Sequence, residues 1–147
     1  MGTLSEIQHW EQIDSPFVVE KIEIPDYEME DLLEPSSGWY FSGQGVYRTL
    51  HYENNQRCPD LVKKLIDRYQ MDSISAFSSI DESSRNGFDR HVDNYEICAL
   101  NLIGNTIWHF PDESIPLSVG EVLYIPKNLP HWVTVVSEER FSVSLIR

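Results

Sequence analysis

Cysteine is scarce in this sequence, and the two cysteines that occur are not arranged as a pair. Cys58 and Cys98 lie far apart in the 147-residue chain, without the C-x-x-C spacing of a redox or zinc motif. Small secreted domains that depend on disulfides carry several cysteines at close spacing. The cysteine content therefore argues against a disulfide framework and favours a reducing compartment, the cytoplasm.

Basic residues are also few. The chain has 11 Lys and Arg against 24 Asp and Glu, which gives a formal net charge of −13. Proteins bind a phosphate backbone through clustered lysine and arginine, so we expect no nucleic-acid partner. The charge is compatible with a cationic substrate, although an acidic surface more often serves solubility.

Long apolar runs are missing as well. No stretch reaches the length of a membrane span, and the opening "MGTLSEIQHWEQ" has no apolar core of the kind found in a secretory signal. We therefore expect no association with a membrane. The composition that remains, 41% hydrophobic and 12% aromatic, is that of a globular protein, and the length predicts a single domain over residues 1–147.

Short strand patterns dominate the chain. An acidic stretch at 1–35 contains "PFVVEKIEIP", which predicts an edge strand between prolines, and residues 36–50 predict a turn and a short strand. One helix is predicted at 58–69, where apolar residues recur at helical spacing. After it come six strand candidates, namely "DSISAFSSI", "EICALNLIG", "NTIWHF", "EVLYIP", "HWVTVV" and "RFSVSLI". The pattern predicts a mostly β sandwich or barrel with a flanking helix.

The stretch "GFDRHVDNYE" contains two residues that could bind a metal. Side chains alternate on an extended chain, so His91 and Asp93 point to the same side. An isolated H-x-D is common by chance and needs a third ligand. "SVGEVLYIPKNLPHW" supplies one, because Gly120 opens a strand, Asn128 stands at the tip of a turn and His131 begins the next strand.

Two imidazoles and one carboxylate form the facial triad of non-haem Fe(II) oxygenases. Three protein ligands leave coordination positions open for catalysis. The same nitrogen and oxygen donors also suit Mn, Co or Ni. His9, His51 and His109 lack a comparable context, and we interpret them as surface or packing residues.

The two stretches resemble a known family. "G-x5-P-x-N-x2-H" is similar to the second cupin motif, with Asn128 where glycine is usual. His91-x-Asp93 with His131 resembles the HxD…H signature of Fe(II)/2-oxoglutarate-dependent oxygenases, and "RHVDNYEICALNLIGNTIWHF" is similar to JmjC-type hydroxylases. In that pattern an aromatic–acidic pair, a strand, a glycine and a tryptophan follow, and these places are filled here by Tyr95, Glu96, Gly104 and Trp108.

The resemblance covers about residues 77–147. It implies a double-stranded β-helix (a jelly-roll or cupin fold). Residues 1–76 lie outside the resemblance, and from their own patterns we expect them to form strands and a helix that flank the barrel. It also implies Fe(II) bound by His91, Asp93 and His131, and 2-oxoglutarate as cosubstrate.

The far carboxylate of 2-oxoglutarate needs a cation or hydroxyl groups. JmjC-type hydroxylases commonly supply a Lys or Arg at the place that Thr106 occupies here. The alternation of "RFSVSLIR" puts Arg140, Ser142 and Ser144 on one side, which we expect to face the barrel interior. Arg140 stands nine positions after His131, like the RxS motif of other 2-oxoglutarate oxygenases. We predict Arg140 as the anchor, with help from Ser142 and Thr106; the alternative is an ion pair between Arg140 and Glu138 in solvent.

The implied activity is a dioxygenase that uses O2 to hydroxylate, rather than demethylate, a small molecule or a protein or peptide side chain. The first rival is a metal-dependent cupin isomerase, lyase or other dioxygenase that does not use 2-oxoglutarate. The second is a binding module without turnover. Residues 1–35 are interpreted as a lid, a segment packed on the barrel, or the contact of a homodimer. Trp108 is expected in the core, and the Tyr124 hydroxyl at the site or on a backbone carbonyl.

Overall fold

The computed structural model describes residues 13–33, 40–42, 48–52, 59–79 and 90–147, with the side chains of 33, 40–42, 48–52 and 79 left aside. Ten strands and two helices occur in these ranges. The strands are β1 Phe17–Lys21, β2 Tyr40–Ser42, β3 Arg48–Tyr52, β4 Ser73–Ser79, β5 Ile97–Ile103, β6 Thr106–His109, β7 Ser114–Leu117, β8 Glu121–Ile125, β9 Trp132–Val135 and β10 Arg140–Ile146. The helices are α1 Met29–Leu33 and α2 Asp60–Tyr69.

The strands form two antiparallel sheets. The large sheet has seven strands in the order β1-β8-β5-β10-β4-β3-β2, and the small sheet has three in the order β7-β6-β9. Within the described ranges strand β1 pairs with β8 alone and lies at the edge, as its flanking prolines predicted. The predicted limit of the metal-binding core, residue 77, falls inside β4, which pairs with both β10 and β3. Strands from before and after that limit therefore share one sheet.

The large sheet is buried on both faces, each with its own core. Its outer face packs against the helices, in a cluster that includes Val62, Leu65, Ile66 and Tyr69 of α2. Its inner face meets the small sheet in a second cluster, which comprises Ile97, Ala99, Trp108, Phe110, Leu117, Leu123 and Ile125. We call these the outer core and the inner core. Because strand residues alternate between faces, β5 and β8 contribute apolar side chains to both cores.

Helix α2 confirms the helix predicted at 58–69. Pro59, with φ −54°, occupies its N-cap, and Gln70 ends it in the left-handed conformation with φ 55°. The apolar face is buried, so the helix is held mainly by packing on the outer core. Cys58 lies outside the described residues.

The sequence patterns predicted one strand where β2 and β3 occur, and they did not predict helix α1 or strand β7. Helix α1 is a single turn whose Met29 and Leu32 are buried in the outer core. Strand β7 contains Pro116, which normally argues against a strand, but β7 is at the edge of the small sheet and, of the strands that the structure describes, pairs with β6 alone. Pro116 therefore breaks no ladder on the far side. Among the described residues, no helix is long and apolar enough to span a bilayer.

Candidate metal centre

The stretch with His91 and the turn before β9 are joined through their backbones. His91 N–H donates to the His131 carbonyl at 3.1 Å, and His131 N–H donates to the His91 carbonyl at 2.9 Å. Asn128 N–H donates to the Asp93 carbonyl at 2.7 Å, and Asn128 has φ 65°. Asn128 thus adopts the left-handed turn that was predicted for the residue replacing glycine. These bonds fix the spacing of the two segments.

Their side chains converge on one point. Asp93 Oδ2 lies 3.5 Å from His91 Nε2 and 3.2 Å from His131 Nε2. One donor atom from each residue falls within 4.8 Å of the other two. Donors that share one ion at about 2.1 Å are themselves roughly 3 Å apart, so these distances fit a single metal ion. The donor set of two imidazoles and one carboxylate suits a divalent transition metal.

The His131 ring is oriented by its own turn. Its Nδ1–H donates to the Leu129 carbonyl at 2.9 Å, so the lone pair of the neutral ring is on Nε2, toward Asp93. Burial keeps the pKa of His131 below its ordinary value, although the Leu129 carbonyl opposes this shift. His131 therefore remains neutral at neutral pH, as a metal ligand must.

The centre is closed on one side and open on the other. The His131 side chain is 3% exposed, whereas that of His91 is 35% exposed. Trp108 and Phe110 of the inner core back His131, with ring centroids 5.6 Å and 6.5 Å from its own. The core position predicted for Trp108 is confirmed. The open approach is on the side of His91.

A chain of buried polar side chains links the inner face of the large sheet to β6 of the small sheet. Arg140 Nη1 donates to Ser142 Oγ at 3.4 Å, and Ser142 Oγ donates to Asn101 Oδ1 at 2.6 Å. Asn101 Nδ2 in turn donates to Thr106 Oγ1 at 3.0 Å and to the Leu117 carbonyl at 3.0 Å. We call Arg140, Ser142, Asn101 and Thr106 the inner polar chain. The structure thus joins the three residues predicted for the cosubstrate through a fourth.

Strand β10 has the alternation that the sequence predicted. Phe141, Val143 and Leu145 enter the outer core, while Arg140 is 4% exposed and faces inward. The alternative in which Arg140 pairs with Glu138 in solvent is wrong, because the guanidinium is buried. That burial lowers the pKa of Arg140 to about 10. The role of Arg140 as an anchor stays a prediction.

Asn101 was missed at the level of sequence. It is the polar residue in the otherwise apolar strand β5, "ICALNLI", and it is 1% exposed. A buried asparagine needs hydrogen-bond partners for both ends of its amide, which is the signal that could have identified it.

The prediction for Tyr124 was wrong in both of its forms. Tyr124 belongs to the outer core, and its hydroxyl donates to Glu96 Oε2 at 2.6 Å. Arg147 Nε and Nη2 donate to the two oxygens of Glu96, at 3.1 and 3.2 Å. Glu96, Tyr124 and Arg147 form what we call the outer clamp. Both carboxylate oxygens of Glu96 therefore accept hydrogen bonds within this clamp.

Among the residues whose side chains the structure describes, His109 and Cys98 lie away from the centre. His109 lies on the outer side of the small sheet, where it stacks on Trp132 and makes hydrogen bonds to Ser114 and Thr134. Cys98 is a free thiol in the outer core, and burial raises its pKa. His9 lies outside the described residues, and His51 is described by its backbone alone.

No family model and no curated protein matches the chain. Solved structures do match it. YcfD, a ribosomal oxygenase from Escherichia coli in complex with cobalt and 2-oxoglutarate, has a TM-score of 0.70 at 16% identity, over 95% of this chain and 49% of that one. YcfD with cobalt and succinic acid has a TM-score of 0.58 at 16% identity, over 74% and 34%. An RmlC-like cupin from Shewanella frigidimarina has a TM-score of 0.53 at 8% identity, over 74% and 82%.

These likenesses identify the fold. The chain has the double-stranded β-helix of JmjC-type oxygenases and cupins, as the motifs implied. It spans about half the length of the ribosomal oxygenase that it matches. At these identities the likeness concerns the fold alone, so the activity is argued from the residues of the site.

Proposed function

We propose that this protein is an Fe(II)- and 2-oxoglutarate-dependent oxygenase that hydroxylates a small molecule or a protein or peptide side chain. One observation carries the proposal. The fold holds a triad of two histidines and an aspartate at its rim and, on the inner face of the same sheets, a buried arginine. A metal site together with an internal cation suits a cosubstrate that is anionic at both ends.

The charges of the site support this assignment. Fe(II) with two neutral imidazoles and one carboxylate has a net charge of about +1, which is less than the two negative charges of 2-oxoglutarate. The second carboxylate needs its own cation, because an unpaired buried charge is costly. Arg140 supplies a planar group that can bind a carboxylate through two parallel hydrogen bonds, which lysine cannot do. Anion binding would also compensate the burial that lowers the pKa of Arg140.

The chain's own residues would do the positioning. When bound, Fe(II) and 2-oxoglutarate supply the oxidising chemistry, in which O2 oxidises a substrate C–H bond as succinate and CO2 are released. The Leu129 carbonyl holds the His131 ring in place, and Trp108 and Phe110 exclude water behind it. The substrate would approach on the side of His91, next to Val92, which is 56% exposed.

The test measures whether the metal-loaded protein converts 2-oxoglutarate to succinate. Protein loaded with Fe(II) should convert 2-oxoglutarate to succinate in air, slowly when no substrate is present. Asp93→Ala should abolish this conversion, because two imidazoles alone bind the metal poorly. His109→Ala is the matched control, since that histidine lies outside the centre, and it should retain the wild-type rate. Succinate formation at the wild-type rate in Asp93→Ala would refute the proposal.

A second candidate is a metal-dependent cupin enzyme that does not use 2-oxoglutarate. It is favoured by Thr106, which stands where JmjC-type enzymes commonly have a cation, and by the extent of the cupin match, which covers 82% of the cupin's own chain. Metal binding without any affinity for 2-oxoglutarate would favour this second function. We also propose a cytoplasmic location, and we leave the homodimer as a prediction.

A further inference from the structure

The stretch that carries His91 joins strand β9 through a short piece of backbone pairing. His91 and His131 form an isolated bridge, outside the named strands, in which each N–H donates to the other's carbonyl. Asn128 N–H adds a bond to the Asp93 carbonyl. A single bridge holds a segment less firmly than a ladder of several pairs, because fewer hydrogen bonds oppose its release. Side-chain contacts beside the bridge therefore matter for how well His91 is held.

Arg90 and Trp132 occupy the position next to this bridge. In antiparallel pairing, pairs that exchange two hydrogen bonds alternate with pairs that exchange none, and side chains lie closer in the second kind. His91 and His131 exchange two bonds, so Arg90 and Trp132, one residue further along the pairing, face each other as a pair of the second kind. Successive side chains alternate in direction, so these two point away from the metal centre.

The side chains of Arg90 and Trp132 are in contact. The guanidinium carbon Cζ of Arg90 lies over the Trp132 ring, 5.6 Å from its centroid. That distance is within the range of a cation–π attraction, for which tryptophan is the best of the aromatic residues. Arg90 is exposed and Trp132 is half-buried. Because Trp132 belongs to β9, which is paired with β6, the indole gives Arg90 a fixed surface to rest on.

We propose that Arg90 and Trp132 are positioning residues whose contact holds His91 at the metal centre. This assignment rests on the proposed function, because it takes the triad to be a metal site. The sign of one effect distinguishes positioning from simple electrostatics. A positive charge near a metal ion opposes the binding of that ion, so the removal of Arg90 would strengthen metal binding if only its charge mattered. If Arg90 positions His91, its removal weakens metal binding.

Hydrogen exchange in the metal-free protein measures the contact directly. The His131 N–H donates to the His91 carbonyl, so the exchange of this proton, followed by NMR, reports release of the His91 stretch. Arg90→Met removes the cation and keeps most of the side-chain length, and it should speed this exchange about three- to fivefold. The Val136 N–H, which donates to the Asn105 carbonyl at the other end of β9, should exchange as in wild type.

Lys127→Met is the matched control. Lys127 is an exposed cation in the turn that leads to His131, and its removal leaves the contact between Arg90 and Trp132 in place. The exchange of the His131 N–H should therefore match that of wild type. Arg90→Lys retains a cation for the indole, so its exchange rate should stay within about twofold of wild type.

Metal binding is then measured by calorimetric titration with Co(II) under argon. Arg90→Met should bind Co(II) about two- to fivefold more weakly, because release of the stretch takes His91 out of the ligand set. Trp132→Leu lacks the ring and should lose a similar amount. The double variant should bind no more weakly than Trp132→Leu alone, since both changes remove the same contact. Arg90 is exposed, so Arg90→Met should fold even if Trp132→Leu does not.

Faster exchange of the His131 N–H together with weaker Co(II) binding in Arg90→Met would support the assignment. Unchanged exchange would overturn it, and so would a Co(II) affinity equal to or above that of wild type. Additive losses in the double variant, or an equally fast exchange in Lys127→Met, would also overturn it. None of these results bears on the use of 2-oxoglutarate. A wild-type protein that does not bind Co(II) would instead overturn the metal centre and the proposed function.

Discussion

Strand β10 begins with Arg140 and is directly followed by Arg147. Because successive side chains of a strand point to alternate faces, the two arginines lie on opposite faces of the large sheet. Arg140 opens the strand on the inner face and Arg147 directly follows it on the outer side. Burial lowers the pKa of Arg140 to about 10. Burial also acts to lower the pKa of Arg147, but the hydrogen bonds and charge of Glu96 outweigh it, and that pKa is raised. The same residue type therefore experiences opposite environments at the two ends of one strand.

Arg147 is a charged residue that stabilises the fold, whereas we assign Arg140 to ligand binding. In the outer clamp both partners are present, and Glu96 is held by Arg147 and Tyr124. In the inner polar chain the neighbours of Arg140 include the hydroxyl of Ser142, which is a weak match for a guanidinium. A buried arginine with a depressed pKa, in a fold that also holds a possible metal-binding triad, indicates a candidate binding site. We expect the inner residues to govern ligand binding and the outer residues to govern stability.

The largest effect should come from the metal ligands. His91→Ala, Asp93→Ala and His131→Ala each remove one of three donors, so metal affinity should fall more than about 100-fold and activity should disappear. Metal binding is measured by calorimetry with Co(II). His91→Ala should change the free energy of unfolding by less than about 1 kcal/mol, because that side chain is partly exposed. Near wild-type metal affinity in any of the three would contradict the centre.

The next effect concerns Arg140. Arg140→Met keeps much of the volume and removes the charge, so the 2-oxoglutarate requirement should rise by about 30-fold or more. Stability should stay within about 1 kcal/mol of wild type, because a buried charge is removed along with its contacts. Calorimetric titration and urea unfolding measure the two quantities. Unchanged cosubstrate affinity would remove Arg140 from the site.

A substitution in the outer clamp should lower the stability of the fold and leave the affinity for 2-oxoglutarate unchanged. Arg147→Met leaves the Glu96 carboxylate buried without its bidentate partner, and should cost about 2–3 kcal/mol in the free energy of unfolding, since Arg147 is itself 22% exposed. Its 2-oxoglutarate affinity should stay within about twofold of wild type. A large loss of affinity with little loss of stability would invert the comparison between the two arginines.

At acidic pH the outer clamp should contribute less to the free energy of unfolding. Burial raises the pKa of Glu96, but the bonds from Arg147 and Tyr124 outweigh burial, and the pKa lies below the ordinary 4.5. The charged carboxylate therefore stabilises the fold above 4.5, and this contribution is lost as the pH falls through the lower, folded-state pKa. We expect Glu96→Gln to be less stable than wild type at neutral pH, with the difference closing in acid. Urea unfolding across this range would show a constant difference if the account were wrong.

The smallest effect should be that of Tyr124→Phe, which removes one hydrogen bond to Glu96. The expected cost is about 1 kcal/mol, without any change in metal or cosubstrate affinity. Thermal unfolding measures it, and Phe17, whose ring centroid is 5.4 Å from that of Tyr124, retains its packing. A change in metal affinity would mean that the outer core is coupled to the centre.

Much of this arrangement could be predicted from local patterns. The period of two in "RFSVSLIR" predicted the inward face of β10, and the Gly120-to-His131 hairpin predicted that His131 lies near His91 and Asp93. The flanking prolines predicted the edge strand β1, and the helical spacing of apolar residues predicted helix α2. These features depend on residues close together in the sequence.

The features that were missed depend on contacts between distant strands. Asn101 meets Ser142 because β5 and β10 are neighbours, and Glu96 meets Arg147 for the same reason. No local pattern specifies which strands pair, so neither partner could be assigned. Strand β7 was missed because Pro116 obscures the strand pattern, and only the edge position makes the proline tolerable.

The most direct measurement is an anaerobic titration of the Fe(II)-loaded wild-type protein with 2-oxoglutarate, followed by visible absorption spectroscopy. We expect a weak charge-transfer band that grows with the 2-oxoglutarate concentration and saturates, because the acid would bind the metal while Arg140 holds its far carboxylate. Iron that binds at the triad without producing the band at any 2-oxoglutarate concentration would contradict the proposed use of 2-oxoglutarate. It would favour a metal-dependent cupin that does not use this cosubstrate.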